Sequence, residues 1–130
     1  MLPADPIPPT ERPEFTLAMR LHNEGEYYEA HEAWESIWTD ELDDAWRLFV
    51  QGLIQVTSAF HKVFVQGQPS GAARLLERGL AKLDPYPGDY LGIALAPFRE
   101  GARACLAKLM GGATLDKGMV PRIYRIEHVN

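Results

Sequence analysis

Apolar residues recur at helical spacing through most of the chain and almost nowhere alternate as a half-buried strand would. Phe15, Ala18, Met19 and His22 share one face of a first helix expected over 11–24, with Thr10 as N-cap and Gly25 just past its end. A second helix is expected over 26–39. Asp40 reads as the cap of a third and longest helix, whose positive N-terminal end is loaded with Glu41, Asp43 and Asp44 and which runs to about Val65. Pro69 suits the first turn of a fourth, where Ala72, Leu75, Leu76, Gly79, Leu80 and Leu83 mark the core face. Asp84-Pro85-Tyr86-Pro87-Gly88 then breaks the pattern. Two more helical pieces are expected, a short one over 90–95 and another over 97–110, because Pro97 cannot donate a helix hydrogen bond. The expected fold is all-α: a single-domain helical bundle of about five helices over 1–130. A proline-rich arm covers 1–10, and an irregular extended tail covers 113–130, with Pro121–Ile126 laid over the bundle.

The third helix carries an unusual distribution. Leu42, Trp46, Phe49, Leu53, Val56, Phe60 and Phe64 fall on one face, and the opposite face holds Leu48, Gln51, Ile54, Gln55 and Ser58 in place of charges. A helix apolar nearly all round is expected to be central, surrounded by its neighbours. Buried amides need partners, so Gln51, Gln55 and Ser58 are expected to share a network, which serves as an interhelical ladder, a homodimer seam or the lining of a pocket.

Composition narrows the function. The chain has 130 residues, 46% of them hydrophobic and 24% charged, an ordinary globular balance. A net charge of −5 without any Lys/Arg run lacks the footprint that phosphate backbones require, so no nucleic-acid partner is expected. Cys105 is the single cysteine, which rules out an internal disulfide. The first residues lack a basic region followed by an apolar one, and the longest charge-free stretch, Leu48 to Phe60, is too short to cross a bilayer. A cytoplasmic location and no membrane partner are the expectations.

Candidate chemistry concentrates in the second helix. Tyr27, Ala30, Trp34, Ile37 and Trp38 make its apolar face, His31 falls within that face, and Glu35 lies one turn on at its margin, while Glu32 points elsewhere. An ionised carboxylate at a dry margin needs a cation, a donor or a proton. Three readings stay open: Glu35 accepts from His31 or an indole and pins the helix, the two side chains hold a metal, or they act as an acid–base pair on a small molecule gripped by Trp34 and Trp38. If the second and third helices run antiparallel, His61 comes towards His31 as a third ligand, and Gln55 is a weaker candidate. His22 is expected in the core and His128 in solvent.

The run Asn23-Glu-Gly-Glu-Tyr-Tyr-Glu-Ala-His31-Glu-Ala-Trp-Glu35-Ser-Ile-Trp38, followed by Phe49-Val-Gln-Gly-Leu-Ile-Gln55 and His61, resembles the bacterial and archaeal family called domain of unknown function 309. Its H-x-x-x-E-x-x-(W/Y) pattern is met by His31, Glu35 and Trp38, and the likeness spans about Leu21 to Leu83. The resemblance implies a compact helical bundle and a suggested metal-binding role for the His/Glu motif, with no substrate. Two functions follow as expectations. One is a protein holding a divalent ion (Zn, Mn or Fe) at His31, Glu35 and His61, or a metal-dependent hydrolase if an open position activates water. The other is a non-enzymatic module that self-associates or binds a partner. In either, Tyr27, Glu32, Trp34, Trp38, Gln51, Gln55 and Ser58 complete the pocket or network.

Overall fold

The computed structural model describes residues 7–126. Among them are five α-helices: α1 (Pro13–Asn23), α2 (Tyr27–Ile37), α3 (Asp44–Phe64), α4 (Pro69–Leu83) and α5 (Leu95–Met110). Each packs chiefly on its neighbours in the chain, α1 on α2, α2 on α3, α3 on α4 and α4 on α5. Phe15, Trp34, Phe49, Leu53, Phe60, Leu76, Leu83 and Phe98 are fully buried where these helices meet. Each such side chain contributes about 1.5–3 kcal/mol by leaving water. The all-α bundle read from the periodicity is the observed fold.

Glycines permit a tight turn and a close helix crossing. Gly25, at φ +85°, ends α1: its N–H bonds to His22 O and the Glu26 N–H to Leu21 O, so the chain reverses into α2 within three residues. Where α3 crosses α4, a Cβ at Gly52 would lie 2.7 Å from Leu83 Cδ2, and one at Gly79 would lie 2.8 Å from Val56 Cγ2. Only two bare backbones fit that crossing.

Several boundaries differ from the sequence expectation, each for a local reason. Thr10 does not cap α1. It sits in a 3-10 turn (Pro9–Glu11), its hydroxyl donates to Leu91 O, and the helix starts at Pro13, whose fixed φ suits the first turn. The arm is therefore docked from Pro9 onwards, and residues 1–6 lie outside the described residues. Asp43 caps α3 in place of Asp40, accepting from Ala45 N–H at 3.2 Å. The short helix expected over 90–95 is a two-stranded hairpin, β1 (Asp89–Tyr90) with β2 (Ile93–Ala94). The turn residues Leu91 and Gly92 both take positive φ. Pro97 causes no break, because it occupies the first turn of α5, where its missing N–H costs nothing.

The tail is extended only in part. A 3-10 turn (Lys117–Met119) interrupts it, after which 121–126 lies over the bundle as expected, with Ile123 buried and Arg125 bridging to Ile93. His128 falls outside the described residues. Polar side chains of α1 hold the strap down. The Asn23 amide donates to Ile123 O and accepts from Ile123 N–H, as a second strand would. His22, in the core as expected, bonds Pro121 O at 2.8 Å and Thr57 Oγ1 at 2.8 Å.

Candidate functional site in the groove between the second and third helices

α3 is not enclosed on every side. Leu48 is 47% exposed, and Gln51, Ile54, Gln55 and Ser58 are half-buried. α1 packs on α2 and α4 on the other flank of α3, which leaves the polar stripe facing a groove instead of a fourth helix. That groove, about 500 Å³, has His31, Glu35 and Trp38 on one wall, the stripe of α3 on the other, and Leu75 of α4 at its edge. Leu75 belongs to the apolar face of α4, and periodicity alone gave no sign that its side chain reaches this groove.

His31 Nε2 lies 2.9 Å from Glu35 Oε1, joining the pair along one turn of α2. The imidazole is partly shielded and the carboxylate about half exposed, so the pair stands at a wet margin, outside any dry niche. The expected aromatic walls sit elsewhere. Trp34 is fully buried against Phe15 and His22, and Tyr27 packs on His22, Phe60 and Phe64, where burial pushes its hydroxyl up to about 12. Trp38 does line the groove, but its indole N–H donates to Arg47 O at 3.1 Å, so no indole serves Glu35. Glu32 is exposed beside Tyr28, whose hydroxyl it pushes up.

His61 approaches His31 from α3 without joining the pair. The Tyr28 ring lies between them, 5.7 Å from the His31 ring and 5.4 Å from that of His61. His31, Glu35 and His61 form no three-ligand set; among the described residues no group of three or more His, Cys, Asp or Glu side chains could hold an ion. The Tyr28 contribution was missed in the sequence, although its i, i+3 spacing to His31 is the relevant signal.

The donors present fit a divalent ion in part. A 2.9 Å separation lets one ion with bonds of about 2.0–2.2 Å reach both nitrogen and oxygen. The expected glutamine network is incomplete: Gln55 Oε1 is buried without a hydrogen-bond partner among the described residues. A larger cavity, about 690 Å³, lies between the ends of α3 and α5 and the start of α4, but no ionisable side chain lines it.

Among the described residues no helix is long and apolar enough to cross a membrane. A search of known proteins finds an uncharacterized protein from Aquifex aeolicus (strain VF5), 30% identical over 106 residues. The matched region takes in 81% of this chain and 30% of that protein, so the chain spans about a third of its relative's length. The sequence model of one family matches residues 15–75, beginning earlier in α1 than the resemblance first read and stopping inside α4. The match contains both walls of the groove together with His31, Glu35, Trp38, Gln51, Gln55, Ser58 and His61. Residues 15–75 of this chain match the model of the family described as domain of unknown function 309.

Proposed function

We propose that the chain is a binding protein whose working site is the α2/α3 groove, with His31 and Glu35 as the protein ligands of a single divalent ion, Zn, Mn or Fe. The observation that supports this reading is the short His31–Glu35 separation on the wall of an open groove. Two ligands on one helix leave most of an ion's coordination shell free, which favours a reversible site over a closed structural one. When bound, the ion supplies Lewis-acid polarisation to whatever molecule shares the groove, the chemistry a metal-dependent hydrolase needs. His31 and Glu35 hold the charge, Trp38, Ile54 and Leu75 restrict water, and Gln51, Gln55 and Ser58 offer hydrogen bonds that orient the ligand.

Elemental analysis and Zn²⁺ or Mn²⁺ titration of protein carrying no histidine tag test the reading. Saturable one-to-one binding that disappears in His31→Ala and Glu35→Ala supports it; folded protein with no divalent affinity overturns it.

A second reading treats the pair as structural. The observation favouring it is that His31 and Glu35 already satisfy one another. An i, i+4 pair this exposed contributes only about 0.3–0.5 kcal/mol. On that reading, both alanine variants change stability by less than about 1 kcal/mol and leave metal-dependent behaviour untouched, since there is none.

A further inference from the structure

Beside the groove, and sharing His31 and Ser58 with it, lies a smaller pocket where the start of α2 crosses the end of α3. It measures about 210 Å³ and is lined by Tyr28, His31, Ser58, His61, Lys62 and Gln66. The chain holds 18 acidic residues against 13 basic ones, and α2 alone contributes Glu29, Glu32 and Glu35. Yet no carboxylate lines this pocket, and all six side chains are donors. Of these the Tyr28 hydroxyl is engaged by Glu32 and His31 Nε2 by Glu35, leaving Ser58, His61, Lys62 and Gln66. Among the described residues Lys62 forms no ion pair. Its stem runs beside Gly71, where an added Cβ would sit 3.7 Å from Lys62 Cδ.

The end of a helix ordinarily repels anions through its free carbonyls. Here two of those carbonyls, beside the pocket, are occupied. His61 O accepts from the N–H groups of Val65 and Gln66, and Lys62 O accepts from Gln68 N–H as the chain turns through Gly67 at φ +60°. What faces the pocket is the side-chain donor set, held on either side of the Tyr28 ring by the His31 and His61 contacts.

We infer that this pocket is an oxyanion subsite, and that the molecule held in the α2/α3 groove carries a phosphate or carboxylate group which docks against Lys62, His61 and Ser58. The inference rests on the groove being a ligand site and adds the chemical class of the ligand. The pocket is smaller than the about 300–1,000 Å³ of sites for whole drug-sized molecules, which suits one group of a larger ligand whose remainder reaches past His31 towards Glu35 and Gln55.

The test uses the full chain, metal-free, with the imidazole and tyrosine ring signals followed by NMR. Inorganic phosphate and acetate are titrated separately at constant ionic strength held with chloride. Saturable shifts of Tyr28, His31 and His61 are expected, with the tighter of the two anions identifying the group. Affinity should fall at least tenfold in Lys62→Met, be retained in Lys62→Arg, and stay unchanged in Lys108→Met, an exposed lysine elsewhere. Absence of saturable binding by both anions, or binding indifferent to Lys62→Met and His61→Gln alike, overturns the inference. Zn²⁺ titration on separate samples reads the His31–Glu35 pair. Zn²⁺ binding without oxyanion binding sinks the subsite alone; oxyanion binding without Zn²⁺ binding keeps the subsite and sinks the ion.

Discussion

Acidification should loosen the bundle through one residue, His22. Its ring is 1% exposed and packed among Tyr27, Trp34, Phe60 and Phe98. Pro121 O can only accept, so His22 Nε2 carries a hydrogen and donates to it, while Nδ1 accepts from the Thr57 hydroxyl. The neutral ring satisfies both contacts. Burial lowers its pKa from 6.5 to about 4, and the bond to Pro121 offsets only part of that. Between those values the unfolded chain takes up a proton that the folded chain refuses. The stabilisation is therefore complete above pH 6.5 and is lost progressively as pH falls towards 4. The full difference is about 3 kcal/mol, most of which is gone by pH 4.5. That is a large share of the about 5–15 kcal/mol that holds a domain of this kind folded. Urea denaturation at intervals from pH 7.5 to 4.5, on the native chain and on His22→Gln, measures it. The glutamine keeps a donor towards Pro121 but cannot titrate, so it should be less stable at pH 7.5 and lose about 2–3 kcal/mol less on acidification. Parallel pH profiles for the two proteins would refute the reasoning, since carboxylates shared by both cannot produce the difference.

Three other perturbations test the packing. Gly79→Ala forces a methyl against Val56 and the Gly52 carbonyl, and should cost about 1–3 kcal/mol in urea unfolding, whereas Gly67→Ala meets no atom within 4 Å and suffers only backbone strain. Asn23→Ala removes both bonds to Ile123 and should lower stability by about 1–3 kcal/mol, with the Ile123 amide exchanging its hydrogen much faster than in the native chain. Cys105 is buried, its thiol donates to Met119 O, and burial pushes its pKa up; it should resist thiol reagents in the native state and react once urea unfolds the chain.

The elements that were legible in the sequence are those whose signal is local. The α4 face needs nothing but the spacing of Leu76, Leu80 and Leu83, and the turn at Gly25 needs nothing but a residue free to take positive φ. His31 and Glu35 were legible as a pair because helix geometry alone puts residues four apart on one side. The hairpin at 89–94 was not. Its strands are two residues each, too short for any period to show, and it persists because Ala94 N–H bonds Tyr124 O and Ile126 N–H bonds Gly92 O in a tail some thirty residues away.

The sequence by itself determined that this chain is a helical bundle and that an imidazole and a carboxylate share one turn of α2. Only the tertiary structure decided what surrounds them. A helical wheel ranks faces by composition, and the polar stripe of α3 therefore read as buried, because too few charges marked it as open. Which flank of a helix meets solvent depends on where its neighbours pack, and here α1 and α4 both leave that flank clear. That choice makes a groove out of Gln51, Gln55 and Ser58, draws Trp34 and Tyr27 away into the core, and brings His61 and Lys62 alongside His31.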